Sequence, residues 1–111
     1  MDCIFCKIAD GTMASEVVHE NEGFIVVKDL HPQAPTHLLV MPRAHYPSLL
    51  ECGDEATLSG LLKTAVEAAK KYGFAEGGFR SIINTGNGGG QTVFHLHMHI
   101  MSGKKLTEKM V

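Results

Sequence analysis

Apolar positions along the chain recur with two different periods. Between Asp54 and Gly73 the residues Leu58, Leu61, Leu62, Ala65, Val66, Ala69 and Tyr72 fall at helical spacing, with Asp54 as N-cap and Gly73 as the C-terminal stop. This pattern predicts one long helix. Elsewhere the runs are short and β-branched. Phe24 to Asp29 and Thr36 to Met41 read as two strands, joined through the proline-punctuated turn 30–35 and pairing as a hairpin. Two more strands are expected over Gly78 to Asn84 and Val93 to Met101, around the loop Thr85-Gly86-Asn87-Gly88-Gly89-Gly90-Gln91-Thr92. A short helix near residues 3–10 and a strand near Val17-Val18-His19 complete the set. Short turns between strands imply an α+β fold, a mostly antiparallel five-stranded sheet carrying one long helix and a short N-terminal one.

Composition narrows the function. The 111 residues, 44% hydrophobic and 20% charged, suit one compact domain over 1–111. No repeat or linker divides them. A formal net charge of -2 supplies no basic field for nucleic acid and no polybasic membrane patch. The N-terminus lacks the basic and apolar regions of a secretory signal, and no stretch approaches the roughly 20 apolar residues of a membrane span. Three cysteines, one of them (Cys52) without an obvious partner, argue against a disulfide framework. A reducing, cytoplasmic setting follows as the expectation. It leaves the C-x-x-C pair Cys3 and Cys6 as metal ligands or redox residues.

Seven histidines are many for this length, and three stand in strict alternation at His95, His97 and His99. On a strand these imidazoles share one face, while Leu96, Met98 and Ile100 take the other and belong to the core. One metal ion cannot collect all three. Across four residues of extended chain the outer Cα atoms are about 13 Å apart, too far for two Zn–N bonds of about 2.0–2.1 Å at a tetrahedral centre. A division of labour fits better, with a central neutral imidazole able to act as a nucleophile. The preceding glycines Gly86, Gly88, Gly89 and Gly90 let backbone N–H groups approach a phosphate, and Thr92 adds a hydroxyl. No Gly-Lys-Ser/Thr follows, so this is not a Walker loop.

The segment His95-Leu96-His97-Met98-His99-Ile100-Met101 fits, at every position, the alternating signature of the histidine triad (HIT) superfamily. The resemblance extends to Ile4-Phe5-Cys6-Lys7-Ile8, to Asp29 with Pro32-Gln33-Ala34-Pro35-Thr36-His37, and to Asn84 onward. It is strongest to the histidine triad nucleotide-binding branch, small homodimeric hydrolases and transferases acting on nucleoside 5′-phosphoramidates and acyl nucleotides. The resemblance implies a HIT-like fold and a role for each matching residue. His97 would be the nucleophile that becomes nucleotidylated, His99 would contact the phosphate and assist the leaving group, and His37 would orient the nucleophile, alongside the His95 carbonyl. Asp29 would bind the ribose hydroxyls, Phe5 and Leu30 the purine base, and Asn84, Gly90, Gln91 and Thr92 the phosphate and leaving-group side. That chemistry needs no metal.

A zinc site is implied separately. Some bacterial members and the related uridylyltransferases hold zinc with a Cys-x-x-Cys pair, a histidine after the second strand and the first triad histidine. Cys3, Cys6, His45 and His95 are the matching residues, a closed tetrahedral set of the structural kind. His19 and His31 are read as surface residues. The chain departs from the amide-cleaving branch in its tail, since it contains no Trp. Two further functions therefore stay open: a dinucleoside polyphosphate hydrolase of the same superfamily, and a zinc-stabilised nucleotide-binding regulator with vestigial catalysis. A homodimer built on the long helix and the Gly78 to Asn84 strand is expected by resemblance.

Overall fold

Residues 3–103 and 106 are described by a computed structural model of the chain. The tail from residue 104, apart from Leu106, lies outside the described residues. The elements are α1 (Ile4–Ala9), β1 (Val17–Glu20), β2 (Phe24–Lys28), β3 (Thr36–Pro42), α2 (Glu55–Lys71), β4 (Arg80–Ile82) and β5 (Met98–Ser102), with single 3-10 turns at Leu49–Glu51 and Asn87–Gly89. They form a five-stranded sheet in the order β1-β2-β3-β5-β4, antiparallel throughout. No described helix is long and apolar enough to cross a membrane.

The long helix starts and stops where the sequence placed its signals. The Asp54 carboxylate accepts from the Thr57 N–H at 3.2 Å, satisfying one of the first-turn donors. At the other end Gly73 has φ +77°, and the N–H groups of Phe74 and Gly73 reach back to the carbonyls of Ala69 and Lys70 at 3.1 and 3.2 Å. This Schellman closure needs the left-handed residue that Gly73 supplies. The helix buries Leu61, Thr64, Ala65, Ala68 and Ala69 against the sheet. It sits so close that a Cβ at Gly60 would stand 2.5 Å from the Phe24 ring.

Sheet alternation divides the core in two. Val26, Leu38, Val40, Leu96, Met98 and Ile100 face α2. Ile25, Val27, Leu39 and Met41 face the other way, against Cys3 and Phe5 of the N-terminal segment. The second face is therefore covered by only one short helix, and the polar site opens there.

Two predicted strands are shorter than expected. β4 keeps only Arg80–Ile82 of the predicted Gly78 to Asn84, and β5 begins at Met98 instead of Val93. The residues ahead of β5 find hydrogen-bond partners outside the sheet: the Leu96 N–H donates to the Tyr46 carbonyl at 2.7 Å, and the Val93 carbonyl accepts from the Gln91 side chain at 3.0 Å. A bend at Val93–His95 results. The alternation of faces nonetheless survives it. Leu96 joins the α2 face, while His95 and His97 make edge contacts with Phe5 on the other, at ring-centroid distances of 6.0 and 4.9 Å.

Candidate active site and a neighbouring metal-ligand cluster

On the thinly covered face lies a cavity of about 380 Å³, walled by Phe5, Ile8, Val27 and Leu39 and floored by Asp29, His97 and His99. Leu30 and Thr92 also line it. Val27 and Leu39 were not singled out from the sequence, and Ile8 was named there without a role at the site. The period-2 pattern of β2 and β3 was the available signal, since it puts Val27 and Leu39 on this face.

His97 is buried, 7% exposed, with Nδ1 2.7 Å from the carbonyl oxygen of His95. A carbonyl only accepts, so Nδ1 carries the proton and Nε2 is left with a lone pair. Burial lowers the His97 pKa from its ordinary value, against smaller upward pulls from the His95 carbonyl and Asp29. The ring is consequently neutral at pH 7, as a nucleophile must be.

A second chain of bonds fixes His99. The Gln33 backbone N–H donates to His37 Nδ1 at 3.1 Å, so His37 must hold its own proton on Nε2. That Nε2–H points at His99 Nδ1, 2.9 Å away, and stands 3.3 Å from Asp29 Oδ2. His99 therefore accepts at Nδ1 and presents its Nε2–H as a donor. Its pKa is pushed down to about 4, first by burial and then by the neighbouring His97 and His37. Burial lowers His37 as well, partly countered by Asp29. The Asp29 carboxylate is tethered through Oδ1 to the His31 N–H at 2.8 Å. Two oxygens offer about four lone-pair positions, so acceptor capacity remains for ribose hydroxyls.

The predicted phosphate side is only partly assembled in the cavity wall. Thr92 reaches it; Asn84, Gly90 and Gln91 are not among its lining residues. The Gln91 side chain is committed elsewhere, with its amide bonded to Pro47, Val93 and Gly86. His19 pairs with Glu67 at 2.9 Å and His31 is exposed, in line with their reading as surface residues.

The C-x-x-C pair converges with His45 and His95. Cys3 Sγ and Cys6 Sγ lie 3.4 and 3.5 Å from His95 Nδ1, Cys6 Sγ is 3.4 Å from His45 Nδ1, and the two Nδ1 atoms are 3.2 Å apart. A tetrahedral ion with Zn–N near 2.0–2.1 Å and Zn–S near 2.3 Å separates its donors by about 3.3–3.8 Å, so the set fits one. The tautomer agrees. His95 is fully buried and its Nε2–H donates to the Pro42 carbonyl at 2.8 Å, which turns the Nδ1 lone pair toward the sulfurs. Cys3 and Cys6 are free thiols in this state, and burial raises the Cys6 pKa, with Cys3 adding to the shift.

Comparison with known proteins decides the family. The family model described as "Scavenger mRNA decapping enzyme C-term binding" matches residues 2–110. A histidine triad protein from Clostridium difficile superposes with a TM-score of 0.94 at 46% identity, over 99% of this chain and 97% of that one. The chain belongs to the histidine triad (HIT) family. A HIT family hydrolase from Legionella pneumophila gives a TM-score of 0.91 at 38% identity, covering 96% and 97% of the two chains. The purine nucleoside phosphoramidase of Escherichia coli K12 is 36% identical over 107 residues, 95% of this chain and 90% of that protein. The five-stranded HIT fold is thereby established, and with it membership of a hydrolase family that binds nucleotides.

Proposed function

We propose that this HIT protein hydrolyses nucleoside 5′-phosphoramidates of the adenosine type through a nucleotidyl-histidine intermediate on His97. The observation that carries the reading is the 2.7 Å bond from His97 Nδ1–H to the His95 carbonyl, which leaves a neutral ring with its Nε2 lone pair free beside the cavity. The name and likeness of the Escherichia coli relative support the same chemistry. In the first step the Nε2–phosphorus bond forms as the phosphorus–nitrogen bond breaks, and the amine leaves with a proton taken up from solvent. Positive charge then sits on the His97 ring, where the His95 carbonyl stabilises it. The His99 Nε2–H supplies a hydrogen bond to the phosphoryl or leaving-group atoms. In the second step water attacks phosphorus, the phosphorus–Nε2 bond breaks, and the nucleoside monophosphate and neutral His97 are released as the water's proton returns to solvent. Asp29 takes the ribose hydroxyls, while Phe5 and Leu30 flank the base.

We further propose that Cys3, Cys6, His45 and His95 hold one structural zinc, which would tie the N-terminal segment to the bend before β5. Paired thiol ligands of this kind suit the cytoplasm. A homodimer is also part of this reading, and exposed Leu62 and Val66 on α2, 59% and 46% accessible, supply an apolar contact surface.

The test is a substrate panel. Adenosine 5′-phosphoramidate should be turned over faster than a diadenosine polyphosphate, and acid quenching should trap a nucleotidyl adduct on His97. His97→Ala should lose at least about 10³-fold in kcat. Preference for the polyphosphate would transfer the assignment to the dinucleoside hydrolases, and unaltered hydrolysis by His97→Ala would overturn the nucleophile.

A further inference from the structure

Gln91 is 4% exposed, and a buried carboxamide costs about 1–3 kcal/mol for each hydrogen-bonding group left unsatisfied. Its side chain has no such gap among its donors. Nε2 donates to the Pro47 carbonyl at 2.7 Å and to the Val93 carbonyl at 3.0 Å, and Oε1 accepts from the Gly86 N–H at 2.9 Å. The Gln91 backbone N–H returns to the Gly86 carbonyl at 3.0 Å, closing the glycine loop on itself. One amide thus joins the loop, the segment that follows His45, and the bend that precedes His97.

The bend is pinned at both ends against the same stretch of chain. Gln91 fastens Val93 to Pro47 on one side; the Leu96 N–H fastens to the Tyr46 carbonyl at 2.7 Å on the other. Between these ties stands His95, whose carbonyl orients His97. No strand pairing holds residues 93–97, since β5 begins at Met98. The side chain of Gln91 does what a sheet ladder does elsewhere.

We propose that Gln91 is a positioning residue: its carboxamide holds the Val93–His95 bend so that the His95 carbonyl meets His97 Nδ1, and the tautomer and direction of the nucleophile depend on it. This rests on His97 being the nucleophile. A misplacement of about 1 Å at a reacting group typically costs about 10²-fold, and the base and ribose contacts lie on other elements. Loss of Gln91 should therefore lower kcat and leave KM nearly alone.

Gln91→Glu keeps the acceptor for Gly86 and loses both donors; Gln91→Met keeps the size and loses all three bonds. Both variants are compared with Ser102→Ala, which removes a buried 2.9 Å bond from β5 to the Gly78 carbonyl without touching the bend. For Gln91→Glu and Gln91→Met we expect a roughly 10²-fold fall in kcat with KM within about threefold, at a Tm no lower than that of a fully folded Ser102→Ala control that keeps its rate. Nitrogen-15 imidazole spectra should show His97 as the Nδ1–H tautomer in wild type and as a mixture in both variants. Wild-type kcat in either folded variant, or reduced kcat with an unchanged His97 tautomer, overturns the proposal. If Gln91→Met fails to fold, Gln91→Glu decides. The tautomer readout stands whatever the substrate proves to be, so failure of the phosphoramidate assignment is distinguishable from failure of this one.

Discussion

Two clusters of histidine nitrogens lie within a few residues of each other in this molecule, and they are opposite in kind. Cys3, Cys6, His45 and His95 form one; Asp29, His37 and His99 form the other, and in each the potential ligand atoms lie within 4.8 Å of one another. Distance alone makes both look ready for a metal. The backbone group on the far side of one ring separates them. His95 meets the Pro42 carbonyl, so its proton points outward and its lone pair inward among the thiols. His37 meets the Gln33 N–H, so its lone pair points outward and its proton inward to His99 and Asp29. The first cluster thus offers lone pairs to a cation, whereas in the second Nε2 has no lone pair to give. What distinguishes a candidate metal site from a hydrogen-bond chain here is a single main-chain partner.

The largest effect expected from this contrast is on metal content. Purified protein titrated with zinc or cobalt should stop at one ion per chain, with the tetrahedral thiolate spectrum in the cobalt form. Cys6→Ser should bring that to near zero and lower Tm by about 10 °C or more, since each kcal/mol shifts a domain of this size by roughly 4–8 °C. A stoichiometry of two would mean that the Asp29 cluster also binds, and the contrast would be lost. A smaller effect is expected from the other cluster. His37→Ala should keep the metal and lose about 10-fold in kcat, because His99 is then free to place its proton on either nitrogen. Metal loss in that variant would show that the clusters are not separate.

Much of this was legible in the residues and some was not. Alternation gave the face of every triad histidine, even where β5 had not yet begun, because an extended chain keeps its side-chain period without ladder bonds. The four thiol and imidazole groups came from matching residues far apart in sequence, and the fold brings their donor atoms within 4.8 Å of one another. The tautomers were beyond reach. They depend on Pro42 carbonyl and Gln33 N–H groups whose identity leaves no mark in a side-chain pattern, since every residue carries a carbonyl and nearly all carry an N–H. The bonding of Gln91 was out of reach for a related reason. A glutamine after glycines beside a triad suggests a ligand contact, and the three bonds of its buried amide to Gly86, Pro47 and Val93 leave no mark in that pattern.

The smallest effect is the pH dependence, and it separates chemistry from stability. His37, His97 and His99 are all held below the ordinary histidine value by burial, His99 at about 4. Near pH 6 His99 remains neutral when folded, and His37 and His97 hold fewer protons than the same histidines in the unfolded chain, which take them up below about 6.5. The unfolded state then binds more protons, so ΔG of unfolding falls as pH drops through 6.5 and levels off only below the folded values. The rate should follow only at lower pH, because burial displaces the protonation of the nucleophile downward and His99 still presents its donor. Measured from pH 7.5 downward, Tm should begin to decline near 6.5, while kcat should hold until His97 itself is protonated at lower pH. An inflection of kcat at 6.5 would mean that the nucleophile titrates as a solvated histidine, with neither the burial nor the His95 tie that sets it apart from the ring beside the thiols.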